Sequence, residues 1–105
     1  MGVRRSSAGK QLNLDVAATA VTLTVPTAAN CAWVHVRPTN DSGGAAGPVS
    51  YTVDGTTPTA NIGIIAYQGD IIELNSRDEL DKFKVIEQTA TDAEVDVFYF
   101  TDLAG

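Results

Sequence analysis

The sequence has one cysteine, one histidine and four prolines in 105 residues, and each scarcity removes a class of protein. A lone thiol, Cys31, cannot close an intramolecular disulfide, so folding needs no oxidising compartment and Cys31 reads as a small buried hydrophobe. A lone histidine, His35, leaves a zinc site without cysteine or carboxylate partners at ligand spacing. A Cys31–His35 dyad fails on distance, because four residues of strand at about 3.3 Å each separate the two by roughly 13 Å. His35 is therefore read as an edge or surface residue. No apolar run reaches the roughly 20 residues that span a bilayer, and "MGVRRSSAGKQLNL" carries positive charge with no apolar segment behind it. Neither a membrane span nor a secretory leader is expected, and "MGVRRS" matches a myristoylation pattern only loosely. "GTTPT" lacks the lysine and glycine spacing of a phosphate-binding loop, and no Gly-x-Gly-x-x-Gly follows a strand pattern.

Positive charge is also scarce, with seven basic residues against thirteen acidic and a net charge of -6. Arg4, Arg5 and Lys10 lie in the first ten residues with no acid among them, which leaves the remainder near -9. An acidic body repels nucleic acid and anionic lipid. Residues 1–10 are expected to form a basic arm that lies across an acidic protein surface, ahead of a domain at 11–105. The late carboxylates fall in two groups, Asp78, Glu79 and Asp81, then Asp92, Glu94 and Asp96. The second alternates with Val95, Val97 and Tyr99, the pattern of a wet face opposite a core face. Neither group has the spacing of a calcium loop, and paired glycosidase acids have less support still. No catalytic, cofactor-binding or metal-ligating set emerges.

What the sequence does hold is short alternating segments separated by turn chemistry. At 44% hydrophobic and 19% charged, 105 residues suit one domain with one core. "TAVTLTVP" alternates Val21, Leu23 and Val25 against smaller residues and stops at Pro26. "CAWVHVRP" sets Val34 and Val36 opposite Trp33, His35 and Arg37. "TNDSGGAAGP", from Thr39 to Pro48, reads as an exposed loop. "VSYTV" puts Val49, Tyr51 and Val53 together before the turn pair Asp54-Gly55, and Gly69-Asp70 precedes a strand with Ile72 and Leu74 on one side. Ser76 and Glu79 fit a capping box for a helix of at most two turns near Ser76–Lys82. "FKVIEQT" and "AEVDVFYFT" read as the last strands. Some seven strands with no sustained 3.6-residue period predict an all-β antiparallel sandwich, jelly-roll-like, with Val21, Leu23, Val34, Val36, Tyr51, Val53, Ile72, Leu74, Phe83, Val85, Val95 and Val97 in its core.

Two features bear on function. Trp33, Phe98 and Phe100 are either a sugar-binding platform, part of the core, or a subunit contact. In "VDGTTPTANI", Pro58 fixes its own φ and holds Thr57 extended, so the segment reads as a stiff connector rather than a ligand-gripping loop. The run "YTVDGTTPTANIGIIAYQGDIIEL", followed by "LDKFKVI" and "AEVDVFYF" and preceded by "RRSSAGKQ" and "VTLTVP", resembles a group of small tailed-bacteriophage virion proteins. The resemblance spans about Val3 to Phe100 and is sharpest from Tyr51 to Thr59; the long "TNDSGGAAGP" loop departs from it. It implies a non-enzymatic head decoration or cement protein without cofactor, made in the host cytoplasm and bound as a homo-oligomer, a trimer by preference, to the major capsid protein on the capsid exterior. Arg4, Arg5, Lys10, Thr57, Pro58 and Thr59 are the candidate contacts. The competing expectation is a receptor- or carbohydrate-binding module of a tail or fibre, for which Trp33 or the phenylalanines must be exposed.

Overall fold

Nested pairing organises the chain. In a computed structural model, which describes residues 5–40, 43–89 and 91–102, those residues form eight strands and one short helix: β1 (Arg5–Val16), β2 (Val21–Thr22), β3 (Cys31–Val36), β4 (Val49–Thr52), β5 (Ile64–Ala66), β6 (Ile71–Leu74), α1 (Arg77–Lys82), β7 (Lys84–Glu87) and β8 (Ala93–Asp102). The first strand pairs with the last, β2 with β7, β3 with β6 and β4 with β5, all antiparallel. This long folded ribbon is rolled so that its segments fall alternately into two four-stranded sheets, ordered β1-β8-β3-β6 and β2-β7-β4-β5. Every connection except β4 to β5 crosses between the sheets, which is the jelly-roll arrangement.

Alternation decides what lies between the sheets. In β3, Val34 and Val36 are fully buried while Trp33 faces out, and in β6 Ile72 and Leu74 are buried while Ile71 and Glu73 are exposed. These residues meet Val95, Val97 and Tyr99 of β8 and, across the sandwich, Val49, Phe83 and Val85. Each fully buried side chain of this size contributes about 1.5–3 kcal/mol. Val21, Leu23, Tyr51 and Val53 pack against this core only partly buried. Val16 and Leu80 are buried members that the alternation did not single out. Tyr51 and Phe83 lie in ring contact, centroids 5.7 Å apart.

The Ser76 half of the capping box forms, the Glu79 N–H donating to Ser76 Oγ at 3.2 Å, while the Glu79 carboxylate reaches one residue further back and accepts from the Asn75 N–H at 2.7 Å. At the Asp54-Gly55 turn, Gly55 has φ +89° and Asp54 Oδ1 accepts from the Thr56 N–H at 3.0 Å.

Four expectations are corrected. Arg5–Lys10 are not a separate arm but the first half of β1, paired with β8 from Asp102 to Phe98; residues 1–4, Arg4 among them, lie outside the described residues. The stretch from Thr19 to Val25 is strand only at Val21–Thr22, because the chain then leaves this sheet edge to cross to β3. The Thr39–Pro48 segment is exposed at Gly43–Ala45, but Ala46 and Gly47 are buried where the Gly47 N–H donates to the Asp92 carbonyl; Asp41 and Ser42 lie outside the described residues. Glu94 and Asp96 are not a wet face: they are 1% and 7% exposed. Both stand on a central strand flanked by β1 and β3, and an irregularity of β1 between Gln11 and Leu14 carries Asn13 over Asp96.

Candidate functional site

The outer face of the β1-β8-β3-β6 sheet gathers the aromatic residues that the sequence left open. Register partners in adjacent antiparallel strands project to the same side, so Lys10, Phe98, Trp33 and Glu73 form one row across the four strands. Trp33 and Phe98 remain 40% and 39% exposed, and Phe100 packs beside Trp33 with ring centroids 4.9 Å apart and planes inclined by 60°. The neighbouring row pairs Asp96 with His35 and His35 with Ile71, which is exposed, as is Leu12 in the irregular part of β1. Of the three readings, core filling is therefore excluded for Trp33 and Phe98.

On this same face, covered by the irregular part of β1, the Asp96 carboxylate accepts from the Asn13 N–H at 2.9 Å and from Arg37 Nη1 at 2.7 Å. Burial alone would raise its pKa, but the Asn13 amide, the Arg37 guanidinium and His35 together hold it below the usual carboxylate range. Asn13 adopts a positive φ of 55° to make this contact, a conformation that asparagine tolerates better than most residues. Tyr99 points inward, donates to Gln11 Oε1 at 2.7 Å, and has its pKa pushed up to about 12 by burial. These are interlocks of β1 with β8.

A second exposed apolar group lies on the other sheet. Ile62, Ile64, Ile65 and Tyr67 are 41–58% exposed in and around the edge strand β5. Beside them an open groove of about 340 Å³ is lined by Tyr51, Val53, Asp54, Thr56, Ile62 and Ile64, among others.

The expected contact residues split between these regions. Arg5 opens β1 and pairs loosely with Asp102 at 3.9 Å, and Lys10 is exposed beside Phe98. Thr57 and Thr59 are exposed in the connector between β4 and β5, whereas Pro58 is buried. Thr59 and Ile62 exchange backbone hydrogen bonds at 3.0 and 3.2 Å, and Thr59 Oγ1 accepts from the Asn61 N–H at 3.1 Å. The connector is thus held by its own backbone and a buried proline.

Sequence reasoning missed Leu12, Ile71 and the β5 group as surface features. The doublets Ile64-Ile65 and Ile71-Ile72 carried the signal, since adjacent residues of a strand point to opposite sides and both cannot enter one core. Among the described residues, no three His, Cys, Asp or Glu side chains are placed to share a metal ion, and no helix is long and apolar enough to cross a membrane. No family model, no curated protein and no solved structure matches the chain.

Proposed function

We propose that the protein is a non-enzymatic structural component of a tailed-phage virion, a head decoration protein that associates with its own copies and with the major capsid protein on the shell exterior. The observation that carries this reading is the exposure of large apolar side chains in two groups on different sheets: Trp33, Phe98, Ile71 and Leu12 on one, Ile62, Ile64, Ile65 and Tyr67 on the other. A chain of this size that works alone has little reason to expose both, whereas a protein that must meet a neighbour and a shell needs two surfaces. The β5 side suits the shell: it combines a free strand edge, which can accept a strand from another chain, with the rigid Thr57–Thr59 connector.

A second reading, a carbohydrate-binding module of a tail or fibre, draws on the same exposed Trp33 and Phe98. The 60° inclination between Trp33 and Phe100 counts against it, because a pyranose ring stacks best on a flat platform.

Cryo-EM of purified virions of the source phage, with antibody labelling of this chain, tests the proposal. Density on the outer head surface that fits the two sheets is the expected result. Label confined to the tail transfers the protein to the second reading, and its absence from particles overturns both.

A further inference from the structure

We propose that a second copy of this chain docks face to face on the outer surface of the β1-β8-β3-β6 sheet, about a twofold axis that runs parallel to the strands between β8 and β3. The row Lys10, Phe98, Trp33, Glu73 reads cation, aromatic, aromatic, anion from one edge of the sheet to the other. Rotation about that axis reverses the row, so Lys10 meets Glu73 of the second copy and Phe98 meets its Trp33, twice over by symmetry. The next row obeys the same rule: Leu12 at the β1 edge comes opposite Ile71 at the β6 edge, and both are exposed apolar side chains. An axis perpendicular to the strands within the interface would instead set Lys10 on Lys10 and Glu73 on Glu73.

Within one copy the two charges cannot satisfy each other. They stand three strand spacings apart, roughly 14 Å, and among the described residues neither has an ion-pair partner. The inclined rings of Trp33 and Phe100 leave a corrugated surface suited to interdigitation with a matching surface. The face is about 15 to 20 Å on each side, which buries only several hundred Å² in all, so the pairing is weak and reversible and should populate only toward the upper end of the concentrations tested. This pairing does not depend on where the protein resides, and it replaces the threefold association that the family resemblance implies.

Light scattering coupled to size-exclusion chromatography, and sedimentation equilibrium between about 1 µM and 1 mM, test it on the full chain. The wild type should shift with concentration from the 11.0 kDa of one chain to twice that mass. Lys10→Glu and Glu73→Lys should each weaken association by about tenfold, since each sets like charges together at both ends of the row. The double variant Lys10→Glu/Glu73→Lys should return to within about threefold of the wild type. Trp33→Ala should weaken association by about a hundredfold or more with an unchanged circular dichroism spectrum. A monomer throughout the concentration range, a mass three times that of one chain, or a dimer indifferent to the charge substitutions overturns the proposal. So does a wild-type monomer whose binding on a glycan array is lost with Trp33→Ala, which assigns the face to sugar.

Discussion

The two sheets share a topology and differ in how they are held. In one, β1 and β8 run 12 and 10 residues and remain paired over nearly their whole length. In the other, no strand exceeds four residues, and β2 has two. The long sheet has the longer ladder, the Asp96 and Tyr99 interlocks and five of the fully buried valines, Val16, Val34, Val36, Val95 and Val97, against Val49 and Val85 in the short one. The short sheet depends on its connectors: the Asp54-Gly55 turn, the Thr59–Ile62 hairpin, and Gly63, whose φ of +127° sets it against the backbone of β4. Substitutions in the long sheet should therefore act mainly through packing, and those in the short sheet mainly through backbone conformation.

The largest expected effect tests the packing half. Leu74 of β6 is 1% exposed, so Leu74→Ala should cost about 2–5 kcal/mol in urea denaturation. Leu23, expected from its alternation to be equivalent, is only partly buried beside the two-residue β2, and Leu23→Ala should cost less than half as much. Equal costs at the two positions would erase the contrast between the sheets.

Next comes backbone conformation. Both Gly55 and Gly63 hold positive φ, but a Cβ on Gly55 would meet nothing within 4 Å, whereas one on Gly63 would lie 2.5 Å from Ser50 Oγ and 2.9 Å from the Tyr51 carbonyl oxygen. Gly55→Ala should cost about 1 kcal/mol from φ alone, and Gly63→Ala more, about 2–3 kcal/mol, because β5 must also move away from β4. If both variants melt together, the close approach of β5 to β4 contributes nothing to the short sheet.

Legibility cut across this division. Strands β3, β4, β6, β7 and β8 and helix α1 were readable because alternation and the Ser76/Glu79 box are local signals. β1 was not: Gly9, with φ +133°, and Asn13 accompany two irregularities in its pairing, which break the period of two around Leu12, Leu14 and Val16. Its identity as a strand comes from β8, some ninety residues away, and no local pattern contains that. The exposed aromatic face was half legible. The sequence put Trp33 opposite Val34, but which strands stand beside β3, and hence that Phe98 and Glu73 share its row, depends on topology. Glu94 and Asp96 were misread for the same reason, because alternation distinguishes inward from outward and says nothing of what a neighbouring strand lays over the outer side.

The smallest expected effect addresses that last misreading through pH. Asp96 has its folded-state pKa lowered, so the folded protein binds fewer protons at this site than the unfolded chain in the window between the two values. Its stabilisation is fully present above the unfolded pKa of about 3.9 and is lost as pH falls through the folded value. Asp96→Asn, which keeps the shape but removes the charge that faces Arg37, should cost about 1 kcal/mol at pH 7, since Arg37 is partly exposed and solvent screens the pair. The difference from wild type should shrink as pH falls below the unfolded value of about 4 and be lost once pH has passed the lowered folded value. Glu87 acts in the opposite direction: burial, and then the neighbouring Asp92, raise its pKa, so its ionised form costs stability that is regained as pH falls through the raised value. Measuring both Asp96 forms in a Glu87→Gln background removes that contribution. A destabilisation by Asp96→Asn that stays constant from pH 7 to pH 2 would mean that the carboxylate charge does not hold β1 to β8, and that the ladder of the long sheet suffices without it.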